Sequence, residues 1–227
     1  GLLELWMPEL TRGYGVTQNR WHAWDVWDHN LHTCDAAPAD KPRVRWAALL
    51  HDVGKVATRV VRNGEATFYE HERVGAEEAD AILARLRFPN EEREGIVRLV
   101  REHMFDYRQE WGDAAVRRWL RRVGVDNVAD LFDLRIADAI GNGTRPPLVG
   151  GLEALRERIE RELEKEQVLH VRDLAVDGRD VMRVLGVPAG PSVGRVLERL
   201  LEEVIEDPSL NSREHLLARL EGMRATG

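Results

Sequence analysis

Apolar residues recur along most of this chain at spacings of three and four, with Ala, Leu, Glu and Arg filling the positions between them. That is the pattern of amphipathic helices built from good helix formers. It predicts helices at about 26–36, 43–56, 71–87, 91–104, 113–123 and 126–140, bounded by Pro38, Pro42, Pro89, Gly112 and Gly124, with Asp25, Asn90 and Asp113 as N-caps. Arg59 to Tyr69 departs from the helical period: Val60-Val61, Asn63-Gly64 and Ala66 to Tyr69 predict a short hairpin or an irregular loop. The strongest break is Gly141-Asn142-Gly143-Thr144-Arg145-Pro146-Pro147, since two Gly and two Pro in seven residues cannot continue a helix. Beyond it the pattern predicts a highly charged helix at about 152–168, a short one at 177–185, a Gly-Val-Pro-Ala-Gly-Pro turn, and helices near 192–205 and 211–222. The expected fold is therefore all-α, with a larger helical body at 1–145 and a smaller helical segment at 146–227.

With 227 residues, 43% of them hydrophobic, the chain is long enough to bury an apolar core without disulfides. The single cysteine, Cys34, excludes a disulfide framework or a thiolate zinc cluster and reads as a small buried apolar residue. No apolar run approaches the roughly 18 residues of a membrane span, so a cytoplasmic protein with no membrane partner is expected. Lys and Arg number 33 against 40 Asp and Glu, and the net charge of −7 argues against bulk binding to a polyanion. Arg117, Arg118, Arg121 and Arg122 bracket Trp119 and Leu120 at helical spacing, which suits either a solvated helix face or a local RNA contact. Glu160, Glu162, Glu164 and Glu166 are expected to form a solvated face. The opening Gly1, Leu2, Leu3, Leu5 and Trp6 read like the interior of a longer chain.

Chemistry enters with the histidines. Of eight, His22, His29, His32, His51, His71 and His103 lie in the first half, while His170 and His215 are expected on the surface. In Leu49-Leu50-His51-Asp52-Val53-Gly54-Lys55 an imidazole and a carboxylate sit side by side at the end of an apolar helix. Burying both is costly unless something pairs them, and a metal ion does so while favouring neutral His and ionised Asp. Neighbours on a helix diverge by about 100°, so the remaining ligands must come from other helices. His29, His71, His103 and Asp138, the last flanked by Ala137 and Ala139, are the candidates. Any one histidine alone is more often a satisfied core or surface residue. As a set with Asp52 they carry too much carboxylate and no thiolate for a structural zinc site, and suit one or two ions such as Mn, Fe, Co, Ni, Mg or a catalytic Zn. His22 and His32 are candidates for supporting or phosphate contacts.

A His, an adjacent His-Asp pair and a distant Asp on a helical scaffold, here His29, His51-Asp52 and Asp138, resemble the HD superfamily of metal-dependent phosphohydrolases. Pro8-Glu9-Leu10, Gln18-Asn19-Arg20, Asp25-Val26, His51-Asp52-Val53-Gly54-Lys55 and Leu86 to Asn90 narrow this to the HD-containing C-terminal half of bacterial tRNA nucleotidyltransferases, the CCA-adding and poly(A) polymerase family. Gly178-Arg179-Asp180 and Leu185-Gly186-Val187-Pro188-Ala189-Gly190-Pro191-Ser192-Val193-Gly194 resemble that family's C-terminal helical segment. The resemblance thus implies an HD domain at 1–145, a tail at 146–227 and, in a longer chain, an N-terminal nucleotidyltransferase domain. No two Asp here are separated by one residue, so the Asp-x-Asp pair needed for nucleotide addition is absent.

What the resemblance implies for this half is hydrolysis of 2',3'-cyclic phosphates and 2'-phosphates at RNA ends or on nucleotides. His71 in His71-Glu72-x-x-Gly75 and His103 fall where two-metal members carry two further histidines. Asp52 would then bridge the ions, His29, His51 and Asp138 would complete one, and His71 and His103 would hold the other. Lys55 is expected to neutralise phosphoryl oxygens or to face the helix dipole, with His32 and Arg145 as further phosphate contacts and Asp28 and Glu72 as carboxylates that orient imidazoles. Two alternatives stay open: a tRNA-gripping helical body with a structural or vestigial metal site, and a nucleotidase acting on free nucleotides.

Overall fold

The structure, a computed structural model, describes residues 1–19, 22–108, 110–144, 149–165 and 169–225. Two short helices, α1 (Leu2–Trp6) and α2 (Pro8–Thr11), precede α3 (Val26–Ala36), α4 (Pro42–Leu50) and α5 (Lys55–Thr58). A hairpin of β1 (Val60–Arg62) and β2 (Glu65–Thr67) follows, then α6 (His71–Arg85), α7 (Asn90–Glu102), α8 (Asp113–Val123), α9 (Val128–Gly141), α10 (Val149–Leu163), α11 (Gly178–Leu185), α12 (Pro191–Glu206) and α13 (Arg213–Ala225). The fold is all-α apart from the hairpin. Its turn is Asn63-Gly64, both residues with left-handed φ (51° and 80°), which matches the twist of antiparallel strands paired Val60 to Thr67 and Arg62 to Glu65.

The chain divides into two compact units, residues 1–107 with 123–152, and residues 108–122 with 153–227. In the first, α4 packs against α3, α7 and α9, and α6 against α7. Their apolar stripes make its core: Val44, Ala47, Ala48 and Leu50 from α4, Ile82 and Leu83 from α6, Ile96, Leu99 and Val100 from α7, and Leu131, Phe132 and Leu134 from α9. The Asp25 carboxylate caps α3 by accepting from Asp28 N at 2.8 Å. Asn90 and Asp113, expected as caps, instead stand inside the first turns of α7 and α8. For α7 the cap position is taken by Pro89, whose extended backbone leads into the helix.

The helix expected at 43–56 is interrupted. Helix α4 stops at Leu50, His51 to Gly54 form turns, and α5 starts at Lys55. A close crossing accounts for the break: a Cβ on Gly54 would lie 2.3 Å from the carbonyl oxygen of His71 and 2.4 Å from Gly75 N. Two backbones meet there with no side chain between them, which sets the His51-Asp52 turn against the first turns of α6.

In the second unit α11 packs on α12 and α13 around Val181, Leu197, Leu200, Leu201, Val204, Leu216 and Leu220. The arginine row of α8 belongs here and is neither a solvated face nor a free basic surface. Arg117 is buried and donates to Glu162 Oε2 (2.6 Å), Ile205 O (2.7 Å) and Glu206 O (3.0 Å). Arg118 pairs with Glu206, and Arg121 with Glu198 and Glu202. Glu162 is likewise buried rather than solvated, because Arg117 neutralises it. No described helix is long and apolar enough to cross a membrane.

Two outcomes follow. Gly54→Ala forces backbone atoms apart and should destabilise the protein by about 2–4 kcal/mol; an unchanged denaturant midpoint with full metal uptake would refute the crossing. In the second unit, hydrogen bonds from Arg213 and Arg183 hold the Asp180 carboxyl down at about 2. Its contribution to stability is then present above the ordinary carboxylate pKa and lost as pH falls from about 4 to 2. Asp180→Asn should lower stability at pH 7 by on the order of 1 kcal/mol and flatten the acid limb of the unfolding midpoint. An identical acid limb in wild type and variant would exclude this.

Candidate metal centre

Five elements aim side chains at one point. Helix α3 supplies His29, the turn after α4 supplies His51 and Asp52, α6 begins with His71, His103 follows the last turn of α7, and α9 contributes Asp138. All six are buried. His29 Nε2 lies 3.2 Å from Asp52 Oδ2, 3.2 Å from Asp138 Oδ1 and 3.1 Å from His51 Nε2. On the other side of the same carboxylate, Asp52 Oδ1 is 3.3 Å from His71 Nε2 and 3.7 Å from His103 Nε2. Asp52 thus has one oxygen facing His29 and His51 and the other facing His71 and His103. The helix break between residues 51 and 54 lets two consecutive side chains reach one centre.

The backbone fixes the ring states. Nδ1 of His51, His71 and His103 donates to the carbonyl three residues earlier, Ala48 (2.8 Å), Phe68 (2.7 Å) and Val100 (2.7 Å). With the proton on Nδ1, each Nε2 presents a lone pair to the cluster. Yet His71 Nε2 and His103 Nε2 are 3.3 Å apart and both face Asp52 Oδ1, which among the described residues accepts no hydrogen bond, while Lys55 meets the other oxygen, Oδ2. Lone pairs and a carboxylate oxygen facing one another favour a cation among them, and imidazole nitrogens with carboxylates suit a divalent metal. The residues therefore fit the metal that the sequence implies. His29, His51 and Asp138 bring ligand atoms within 4.8 Å of one another, as do His51, Asp52 and His103.

Electrostatics agree. Burial would favour the neutral form of His29, but Asp138 and Asp52 hold its pKa up at about 9. Burial pushes His103 down to about 3, leaving a neutral base. Burial opposes charge on both carboxyls, yet Asp52 stays well below its usual range because of His51, Lys55 and His29, and Asp138 because of His29 and His51.

Lys55 is buried, with Nζ 2.5 Å from Asp52 Oδ2, 2.7 Å from Gln18 Oε1 and 3.4 Å from His22 Nε2. His22 donates through Nδ1 to Asn19 Oδ1, and burial together with Lys55 lowers its pKa to about 4. Arg135 Nη1 donates to Asp138 Oδ2 at 2.9 Å, and Asn142 Nδ2 to the same residue's carbonyl at 3.1 Å. Glu72 Oε2 stands 3.6 Å from His71 Nδ1. A cavity of about 380 Å³ opens on the cluster, lined also by Asn19, Phe68, Tyr69, Met104 and Arg135. His32 is not brought there: it is exposed on α3, its ring 4.6 Å from that of Trp24. Arg145 lies outside the described residues. Gln18, Arg135 and Asn142 had no candidate role in the sequence, although Arg135 and Asn142 stand one helical turn either side of Asp138 and that spacing is a readable signal.

The model of the HD domain matches residues 21–143, more than half of the chain and every residue of the cluster. The chain belongs to the HD-domain family. Over 211 residues it is 36% identical to the A-adding tRNA nucleotidyltransferase of Deinococcus radiodurans, covering 89% of this chain and 48% of that one. Over 213 residues it is 37% identical to the CC-adding tRNA nucleotidyltransferase of Thermus thermophilus, covering 91% and 47%. A multifunctional CCA protein of Aromatoleum aromaticum is 40% identical over 102 residues, covering 43% and 24%. The chain thus spans about half the length of the two tRNA nucleotidyltransferases named first.

Because His29 titrates at about 9 in the metal-free protein, it is protonated at pH 7 and must lose that proton to bind a metal. Metal affinity should rise with pH up to about 9, and uptake at pH 7 should release about one proton or more per site. Titration calorimetry in two buffers of different ionisation enthalpy measures this. Uptake without proton release, and with the same affinity from pH 6 to 9, would contradict it.

Proposed function

We propose that this HD-domain chain is a metal-dependent phosphoesterase that opens 2',3'-cyclic phosphates and removes 2'-phosphates on RNA ends or nucleotides. The observation that carries the reading is a set of six buried imidazoles and carboxylates, divided about Asp52, at the floor of a solvent-reached cavity. A structural metal site is closed by its ligands, whereas a catalytic one keeps access for water and substrate. The names of the relatives support tRNA 3' ends as the RNA substrate. The paired arginines of α8 speak against that face as the RNA grip.

His29, His51, Asp52, His71, His103 and Asp138 would hold one or two divalent ions, drawn from Mn, Fe, Ni, Co, Zn or Mg. Bound there, such ions lower the pKa of a water towards neutrality and offset charge on the phosphoryl oxygens. The protein's part is positioning. Lys55 keeps Asp52 ionised and adds positive charge to the cavity wall. Arg135 and Asn142 hold Asp138, and His22 with Gln18 holds Lys55. In the overall reaction the water oxygen becomes bonded to phosphorus, the bond from phosphorus to the 2'- or 3'-oxygen breaks, and a proton from the water ends on that leaving oxygen. Residues 1–145 would carry this chemistry and 146–227 would serve as the tail.

Metal-stripped protein should hydrolyse 2',3'-cyclic AMP and 2'-AMP only after one of Mn, Ni, Co, Mg or Zn is restored. His51→Ala and Asp52→Ala should lose metal uptake and lower turnover by about 100-fold or more while circular dichroism stays helical. Stoichiometric metal binding without turnover on either substrate would shift the reading to a structural centre. Activity in either variant with metal excluded would overturn the mechanism.

A further inference from the structure

Two exposed side chains stand on the rim of the metal cavity with nothing to do in the folded protein. Tyr69 is 80% exposed and Met104 is 53% exposed, both line the cavity, and among the described residues neither makes a hydrogen bond or ring contact. Leaving an aromatic ring in water is unfavourable, and each of these residues is tied to a cluster histidine. Met104 directly follows His103, and Tyr69 lies two residues before His71.

The backbone around Tyr69 is held rather than loose. Phe68 is buried, its ring 5.5 Å from Lys55 Nζ, and its carbonyl accepts from both His71 N (3.3 Å) and His71 Nδ1 (2.7 Å). Between them Glu70 takes a left-handed conformation, φ 61° and ψ 19°, without being glycine. Such strain persists only where the surroundings determine it, and it tends to mark functional sites. Here it turns the chain from the hairpin into α6 and leaves the Tyr69 ring at the cavity mouth.

Resting on the phosphoesterase reading, we infer that Tyr69, with Met104 lining the same cavity, is a stacking platform for the base of the substrate nucleotide. A planar ring and a polarisable thioether lining a cavity whose floor would hold divalent ions match a ligand with a phosphate at one end and a heteroaromatic base at the other. A phosphate ester lacking a base would use the floor of the cavity and leave the rim empty. Tyr69 is thus a specificity-determining residue, and base identity matters little because every base has a π-face.

The test separates this inference from the activity. Binding of adenosine 2'-phosphate and of ribose 5-phosphate to metal-free protein is measured by calorimetry for wild type, Tyr69→Ala and Tyr69→Phe. Wild type and Tyr69→Phe should prefer the nucleotide about tenfold, and Tyr69→Ala should lose that preference with an unchanged unfolding midpoint. Equal affinity for both probes in wild type, including none measurable for either, overturns the platform, as does a preference that survives in Tyr69→Ala. If the preference behaves as expected while no phosphate ester is hydrolysed with any metal, the hydrolase reading fails and the platform stands. If turnover is found, Tyr69→Ala should raise KM for 2',3'-cyclic AMP about tenfold while leaving KM for glycerol 1,2-cyclic phosphate unchanged; an equal change for both overturns the platform.

Discussion

A carboxylate that reaches almost no solvent must be neutralised by what surrounds it, and Asp52 is that carboxylate here. Lys55 supplies one positive charge at 2.5 Å, leaving four imidazoles ranged around the two oxygens. An isolated buried ion would be driven to neutrality, yet His51, Lys55 and His29 hold Asp52 in its charged form. The rest of the first unit is arranged to serve it. Helices α3, α6 and α9 and the end of α7 bring one member of the cluster each, and α4 stops at Leu50, just before His51 and Asp52. The Gly54 crossing gives that stop its position, because a side chain there would push the turn off the first turns of α6.

The second unit uses charge differently. Arg118 and Arg121 on α8 meet Glu198, Glu202 and Glu206 on α12, complementary rows at helical spacing. Exposed pairs of this kind contribute about 0–1 kcal/mol each. The buried pair of Arg117 and Glu162 is another matter: removing Glu162 would leave the buried guanidinium without its carboxylate, at about 3–5 kcal/mol, whereas Glu162 also has Lys165 at 2.7 Å. Local electrostatics in this unit therefore fix which helix faces which, while in the first unit they assemble a centre for an ion.

The helices were legible in the sequence because their apolar period is strong, and the hairpin because Asn63-Gly64 supplies the turn. The break at His51 to Gly54 was not. Leu49, Leu50 and Val53 continue an apolar run with no proline, and the reason for stopping lies in a glycine of another helix, Gly75. At the site, residue types pointed to metal chemistry, whereas convergence needed a family resemblance or coordinates, since the six residues span 29 to 138. The arginine row failed for the same cause: the partner of Arg117 lies 45 residues away. Tyr69 and Met104 carried no signal at all, because an exposed aromatic becomes meaningful only once the cavity beside it is known.

The way the imidazoles are held separates their roles. His51, His71 and His103 are each oriented by a carbonyl of their own local backbone, so their lone pairs stay aimed at the centre whatever happens to neighbouring side chains. Among the described residues no such carbonyl serves His29, whose buried Nδ1 has no hydrogen-bond partner there and whose other nitrogen lies between Asp52 and Asp138. Asp138 and Asp52 raise the pKa of this ring to about 9, Asp52 also raises that of His71, and a proton between two carboxylates does part of the work of a metal. The cluster can then remain folded around its own acid until a cation displaces it.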